Sequence, residues 1–260
     1  MSFRLELPET FGARLARAQS PLVGAWVTSG SPTNAEIISN AGFSWVLIDA
    51  EHSPYGLETI LELLRAIAAS PATPVVRLPK LDTALMKQYL DLGAQNLMVP
   101  MVNTAEQAQE AVAAMHYPPR GVRGVGSALA RSSRWNGVED YLNRASETVS
   151  LTVQIESVEA VENAEAIFAV DGVDQVFVGP SDLAASMGLL GKQTHPEVLE
   201  AVARTFRAAR DAGKPVGVNA FDLNQARTYL DQGAAFVLVG ADVQMLANSA
   251  RSLAADFVGD

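Results

Sequence analysis

The chain has 260 residues and is 48% hydrophobic, enough to bury a large core, and one domain spanning residues 1–260 is expected. Its formal charge of −10, from 19 Lys and Arg against 29 Asp and Glu, gives no cationic footprint for nucleic acid or an anionic membrane. The lack of cysteine excludes disulfides and thiolate chemistry, and Glu6 and Glu9 interrupt the stretch where a signal peptide needs an apolar run, so a soluble cytoplasmic protein is expected.

In chain order, short β-branched runs predict strands at 23–27, 45–49, 74–78, 96–102, 151–156, 175–179, 215–219 and 236–240. Amphipathic stretches at 57–69, 83–92, 104–115, 158–168, 196–212 and 223–231 predict helices between them. Regular alternation with near-continuous apolar strands means a parallel sheet covered by helices. Glycines 42, 93, 213 and 233 stand a few residues before strands, where helices should end. Eight such units, with no glycine-rich phosphate turn after the first strand, favour an α/β fold of the closed (β/α)8 TIM-barrel type over a doubly wound open sheet. The segment 117–135, rich in Pro, Gly, Arg and Ser, is far longer than an ordinary connection and is expected at a subunit contact. Its Gly121, Gly124 and Gly126 lack the strand-turn-helix setting of a phosphate cradle and are read as structural.

In a parallel barrel the chemistry gathers at the C-terminal ends of the strands. Those ends carry Asp49, Glu51 and His52 after strand two, Arg77 late in strand three, Gln154 and Glu156 on strand five, and Gly179, Ser181 and Asp182 after strand six. Gln154 and Glu156 are two apart and should point the same way. Glu156 and Asp182 could hold a hard divalent cation from two sides, or each could simply serve as a helix cap or first-turn acid. His52 could act as a general base oriented by Asp49, or be a hydrogen-bonded bystander. Arg77, set in an apolar run, needs an anionic or carbonyl partner, with a buried ion pair to Asp49 or Glu51 as the alternative. The turn at 179–182 could offer backbone amides to a carboxylate or be an ordinary capped turn. On the residues alone, Glu51 and Asp242 stand as equal candidates among the rim acids.

The runs IDAEHSPYG (48–56), PVVRLP (74–79), LMVPMV (97–102), YPPRGVRGVGSALARSSRWN (117–136), VQIES (153–157) and FVGPSDLAASMG (177–188) together resemble the HpcH/HpaI family of metal-dependent pyruvate aldolases. The similarity extends over nearly the whole chain, and is greatest to the branch that acts on 4-hydroxy-2-oxoheptanedioate in aromatic compound catabolism. It implies a lyase that cleaves 4-hydroxy-2-keto acids to pyruvate and an aldehyde, and runs the reverse addition, through a metal-stabilised pyruvate enolate. By position, Glu156 and Asp182 match the ligands of Mg²⁺, Mn²⁺ or Co²⁺, and Arg77 matches the arginine at the keto oxygen. Asp49 and His52 match the proton-transfer dyad, and Gln154 a polar neighbour of the metal. Gly179 belongs to the substrate-binding turn, where the amides of Ser181 and Asp182 match those that hold the pyruvate carboxylate. The resemblance also implies a homo-hexamer, a trimer of dimers that exchange C-terminal helices. The stretches 78–81 and 219–223 differ from some relatives and leave the acceptor aldehyde open.

Three rivals remain at this point. A Schiff-base aldolase would need a lysine at a strand end, for which Lys80 is the nearest candidate. A lyase acting on coenzyme A thioesters could share the acids and the arginine. A noncatalytic sugar-phosphate-binding barrel would use 219–222 and 240–242, which carry acids rather than an anion nest.

Overall fold

Eight strands, β1 (Leu22–Val27), β2 (Trp45–Asp49), β3 (Thr73–Arg77), β4 (Asn96–Val99), β5 (Ser150–Ile155), β6 (Gln175–Val178), β7 (Val216–Asn219) and β8 (Phe236–Ala241), pair in parallel with their sequence neighbours. The computed structural model describes residues 5–258. In it β8 returns to pair with β1, closing the barrel that the alternation predicted and excluding an open sheet. Strand bounds agree with expectation within a residue, save for the fourth. It was expected to reach 102 and ends at Val99, because Pro100 has no amide to give a ladder and Met101 takes a left-handed φ of 53°.

The connecting helices are α1 (Phe11–Arg17), α2 (Pro32–Ser39), α3 (Leu57–Ile67), α4 (Thr83–Asp91), α5 (Ala105–Met115), α6 (Tyr141–Arg144), α7 (Val158–Glu162), α8 (Ala164–Phe168), α9 (Pro180–Ser186), α10 (Pro196–Asp211), α11 (Leu223–Asp231) and α12 (Asp242–Val258). The stretch expected as one helix over 158–168 is two, broken at Asn163, whose side-chain amide donates to the Asn103 carbonyl at 2.9 Å. Caps fix several entries: the side chains of Asp82, Thr104, Ser157 and Asp222 each accept from first-turn amides.

A period of two sorts the strand side chains. Trp26, Trp45, Leu47, Val75, Met98, Phe177, Phe236 and Leu238 fill the interior, while Val46, Ile48, Val76, Leu97, Val153 and Val176 pack outward beneath the helices. Phe11 closes the N-terminal end, its amide donating to Asn96 Oδ1 at 2.7 Å and its ring 5.0 Å from Trp45 and edge-on to Phe236 at 5.2 Å. Gly24 makes room for this filling, since a Cβ there would lie 2.5 Å from the Trp45 indole nitrogen. The interior polar groups low in the barrel, Ser150, Thr152 and Gln175, satisfy one another. That leaves the unspent polar groups of the inner face at the C-terminal rim.

The 117–135 segment folds back on the opposite, N-terminal end. Arg123 is buried with its guanidinium 4.5 Å from the Tyr117 ring centre and 3.3 Å from Asp91, and Arg131 donates to the Leu92 carbonyl at 3.0 Å. No strand-turn-helix surrounds its glycines, in keeping with the structural reading of them.

Candidate active site

Because the strands end together, the last inward-facing residue of each lies on one rim: Trp26, Asp49, Arg77, Gln154 and Asn219, with Gly179 just past β6. A cavity of about 390 Å³ opens there, lined by Asp49, His52, Arg77, Gln154, Gly179, Ser181 and Asp182 among others. Glu156 is buried beside it and joined to its wall through Gln154. The residues expected from the sequence are thus brought to one place.

Asp49 and Arg77 are directly opposite in the β2–β3 register, and this sets their pairing. Arg77 Nε donates to Asp49 Oδ1 and Nη2 to Oδ2, both at 3.0 Å, while Nη1 lies 2.9 Å from Glu51 Oε2. Both ion pairs weighed as the alternative for Arg77 are therefore present. Fork-to-fork geometry fixes the guanidinium plane, and the Trp26 ring, 4.5 Å from Cζ, covers one face of it. Trp26 is itself held by its indole N–H donating to Asn219 Oδ1 at 2.8 Å. The expectation that the Asp49 carboxylate orients the His52 imidazole is corrected. The carboxylate accepts instead from Arg77 and from the backbone amides of Glu51 and His52. The His52 ring is 69% exposed at the mouth, its nearest acid Glu51 at 4.0 Å.

Glu156 sits one residue past β5, where its carboxylate accepts from the Met101 amide at 2.7 Å and from the Gln154 side chain. Burial pushes its carboxyl up to about 7; the Met101 amide opposes this, and the negative charges of Asp182 and Glu51 add to it. Burial likewise raises Glu51, against the pull of Arg77. Two acids held up by burial and by neighbouring carboxylates in one desolvated corner favour a cation there.

The donor set fits such a cation. Gln154 Oε1 is buried without a hydrogen-bond partner. Gly179 lies so close that a Cβ would stand 2.6 Å from Glu156 Oε2, so only the missing side chain lets this turn pack directly against the carboxylate. Among the described residues no group of three or more His, Asp and Glu closes into a cage. Glu156 and Asp182, at the ends of neighbouring strands, are the acids that could hold a cation through oxygen from two sides, with positions left open. At α9 the first intrahelical bond runs from the Leu183 amide to the Gly179 carbonyl, which leaves the Ser181 and Asp182 amides free of helical partners beside the cavity.

The remaining candidates are spent elsewhere. Asp242 accepts from the amides of Thr28, Ser29 and Val243 and from both hydroxyls, so it pins β8 to the loop after β1. Lys80 pairs with Asp82 outside the cavity, and among the described residues no lysine lines it. Asn219 is bound to Trp26 and Asp222 caps α11, so the loops needed for a sugar phosphate are occupied. Sequence reading missed Trp26 and the Met101 amide. Counting in twos from Gly24 points to the first; the second depends on a left-handed turn after Pro100 that carries no composition signal.

A family model described as HpcH/HpaI aldolase/citrate lyase matches residues 22–249. A hydroxypyruvate/pyruvate aldolase of Pseudomonas aeruginosa is 49% identical, aligned over 98% of this chain and 95% of its own. A 4-hydroxy-2-oxo-heptane-1,7-dioate aldolase of Shigella sonnei is 47% identical over 96% and 95%. Among solved structures, an HpcH/HpaI aldolase/citrate lyase family protein from Burkholderia cenocepacia superposes with a TM-score of 0.91 at 40% identity, covering 94% of this chain and 97% of that one.

Proposed function

This chain belongs to the HpcH/HpaI aldolase/citrate lyase family, and from that premise we propose that it is a divalent-cation-dependent aldolase, cleaving 4-hydroxy-2-keto acids to pyruvate and an aldehyde and catalysing the reverse addition. The observation that carries this reading is the desolvated Glu156 carboxyl, raised to about 7 beside Asp182, with the doubly anchored Arg77 on the same cavity wall.

Glu156 and Asp182 would hold the cation, Mg²⁺, Mn²⁺ or Co²⁺, with the Gln154 amide oxygen next to it. Bound there, the ion would supply Lewis acidity toward the keto oxygen. The Ser181 and Asp182 amides, in the turn that opens at Gly179, take the substrate carboxylate. Arg77 keeps N–H groups to spare after its bonds to Asp49 and Glu51, and directs them at the keto oxygen where negative charge develops. In cleavage the 4-hydroxyl gives up its proton as the C3–C4 bond breaks, the electron pair goes to the pyruvate enolate, and a proton is returned at C3. His52, exposed at the mouth, moves those protons directly or through water. Asp49 fixes the Arg77 fork and the backbone of the His52 turn at once. Trp26, Phe177 and Phe221 give the same cavity an apolar wall.

The test is pyruvate release from a panel of 4-hydroxy-2-keto acids, with and without chelator. Cation-dependent release is expected. Release that survives exhaustive chelation together with a borohydride-trapped adduct on Lys80, or turnover of coenzyme A thioesters alone, would overturn the proposal.

A further inference from the structure

A second cavity, of about 410 Å³, opens at the N-terminal end of the barrel, between the starts of β3 and β4, the end of α3 and the 117–135 loop. Its charged lining is Arg14, Arg131, Arg134 and a single acid, Glu9, so it is locally cationic in a chain of net charge −10. Glu9 already carries an ion pair with Arg17. Among the described residues the arginines are spent on neutral acceptors: Arg14 Nη1 donates to the Pro71 carbonyl and Thr73 Oγ1, Arg131 Nη1 to the Leu92 carbonyl, and Arg134 Nη1 to the Arg131 carbonyl. Each anchor orients a guanidinium and leaves its other N–H groups available.

An independent observation comes from Ser70, which lines the same cavity and whose buried hydroxyl has no hydrogen-bond partner among the described residues. A buried hydroxyl costs free energy until something meets it. Half-buried arginines crowded together carry a like-charge cost as well. Burial first, then Arg134 and Arg65, pull Arg131 down to about 10. An anion between the arginines would relieve both costs. The space exceeds that of a bare tetrahedral oxyanion, and Leu64, Ile67 and Pro71 give it an apolar wall.

We propose that this cavity is a binding site for a small organic oxyanion, a phosphate monoester or a dicarboxylate, held by Arg14, Arg131 and Arg134 with Ser70 as an additional donor. Since Arg14 lies on α1 and the other two arginines on the long loop, such a ligand would tie that loop to the floor of the barrel, at the opposite end from the proposed catalytic cavity.

Calorimetric titration of the full-length protein with inorganic phosphate, glycerol 3-phosphate and succinate tests this. Saturable binding is expected, tighter for one of the organic anions, and the stronger of the two identifies the ligand class. Arg131→Gln combined with Arg134→Gln should weaken it at least about tenfold and leave turnover unchanged. Arg14→Gln, on a separate element, should weaken it several-fold, so a local collapse of the loop cannot imitate loss of the site. No saturable binding at millimolar concentration of any of the three would overturn the proposal, as would affinity unchanged in both variants. Dissociation of an oligomer by the arginine substitutions, without any anion binding, would also overturn it by showing that the arginines serve a carboxylate of another copy.

Discussion

Burial and the nearby carboxylates of Asp182 and Glu51 keep the Glu156 carboxyl protonated up to about pH 7 in the cation-free chain. Against an ordinary value of 4.5, the folded state then binds more protons than the unfolded state between about 4.5 and 7. The contribution of Glu156 to stability is therefore full below that window and is lost as the pH rises through about 7. Cation-free protein should show a melting temperature that falls across this window more steeply than that of Glu156→Gln, and added Mn²⁺ should restore the native protein at the alkaline end. Equal slopes in the two proteins would mean that Glu156 is not the desolvated acid of the site. In turnover, Glu156→Ala and Asp182→Ala should each lose about 10³-fold or more with the circular dichroism spectrum unchanged. His52→Ala addresses the proton steps instead. Solvent exchange at the pyruvate methyl group, followed by proton NMR, should slow by about 10²-fold while cation affinity is retained, and an unchanged exchange rate would remove His52 from the mechanism.

At the scale of elements, the β6–α9 turn makes the closest approach to the proposed cation ligands. A methyl group at position 179 would meet Glu156 Oε2 at 2.6 Å and Gln154 Nε2 at 3.0 Å. Gly179→Ala should therefore weaken Mn²⁺ binding by about 10- to 100-fold, the usual cost of disturbing a ligand's neighbours, with the thermal transition little changed. Calorimetric titration checks it, and native-like affinity would show that the turn does not shape the site. The same elements show how far sequence carries. Apolar runs and helix-ending glycines located eight strands, and a period of two foretold that Gln154 and Glu156 share a face, as their hydrogen bond bears out. What period cannot supply is stagger between strands. That Asp49 stands opposite Arg77, and so is spent on it rather than on the His52 ring, follows from barrel registration. That Asp242 is consumed as a pin between β8 and the loop after β1 required closure of the first strand on the last. Both are contacts between residues remote in sequence, to which local composition is blind.

At the scale of the whole molecule, the face of α12 has no cover among the described residues. Helix α12 is 17 residues long and its one buried residue is Asp242, while Leu246, Leu253, Phe257 and Val258 are exposed, Phe257 by 85%. None of the described helices is long and apolar enough to cross a membrane, so this face is not accounted for by a spanning segment. On the 117–135 loop Val125 and Leu129 are also exposed, Leu129 by 88%. Apolar patches of this kind mark association surfaces, and closed symmetry requires that each patch find its complement on an identical copy. The family resemblance implies a homo-hexamer of dimers that exchange C-terminal helices, and the exposed apolar face of α12 is the surface such an exchange would cover, with the long loop expected at a contact. Light scattering coupled to size-exclusion chromatography should give a hexameric mass for the native protein and a smaller species for Leu253→Glu combined with Phe257→Glu. Because both positions are far along α12 from the rim, the dissociated barrel should keep its cation site as read by Mn²⁺ titration. It should lose turnover to the extent that a neighbour closes the cavity. A native protein that is monomeric at working concentration and fully active would refute both the exchange and the shared site.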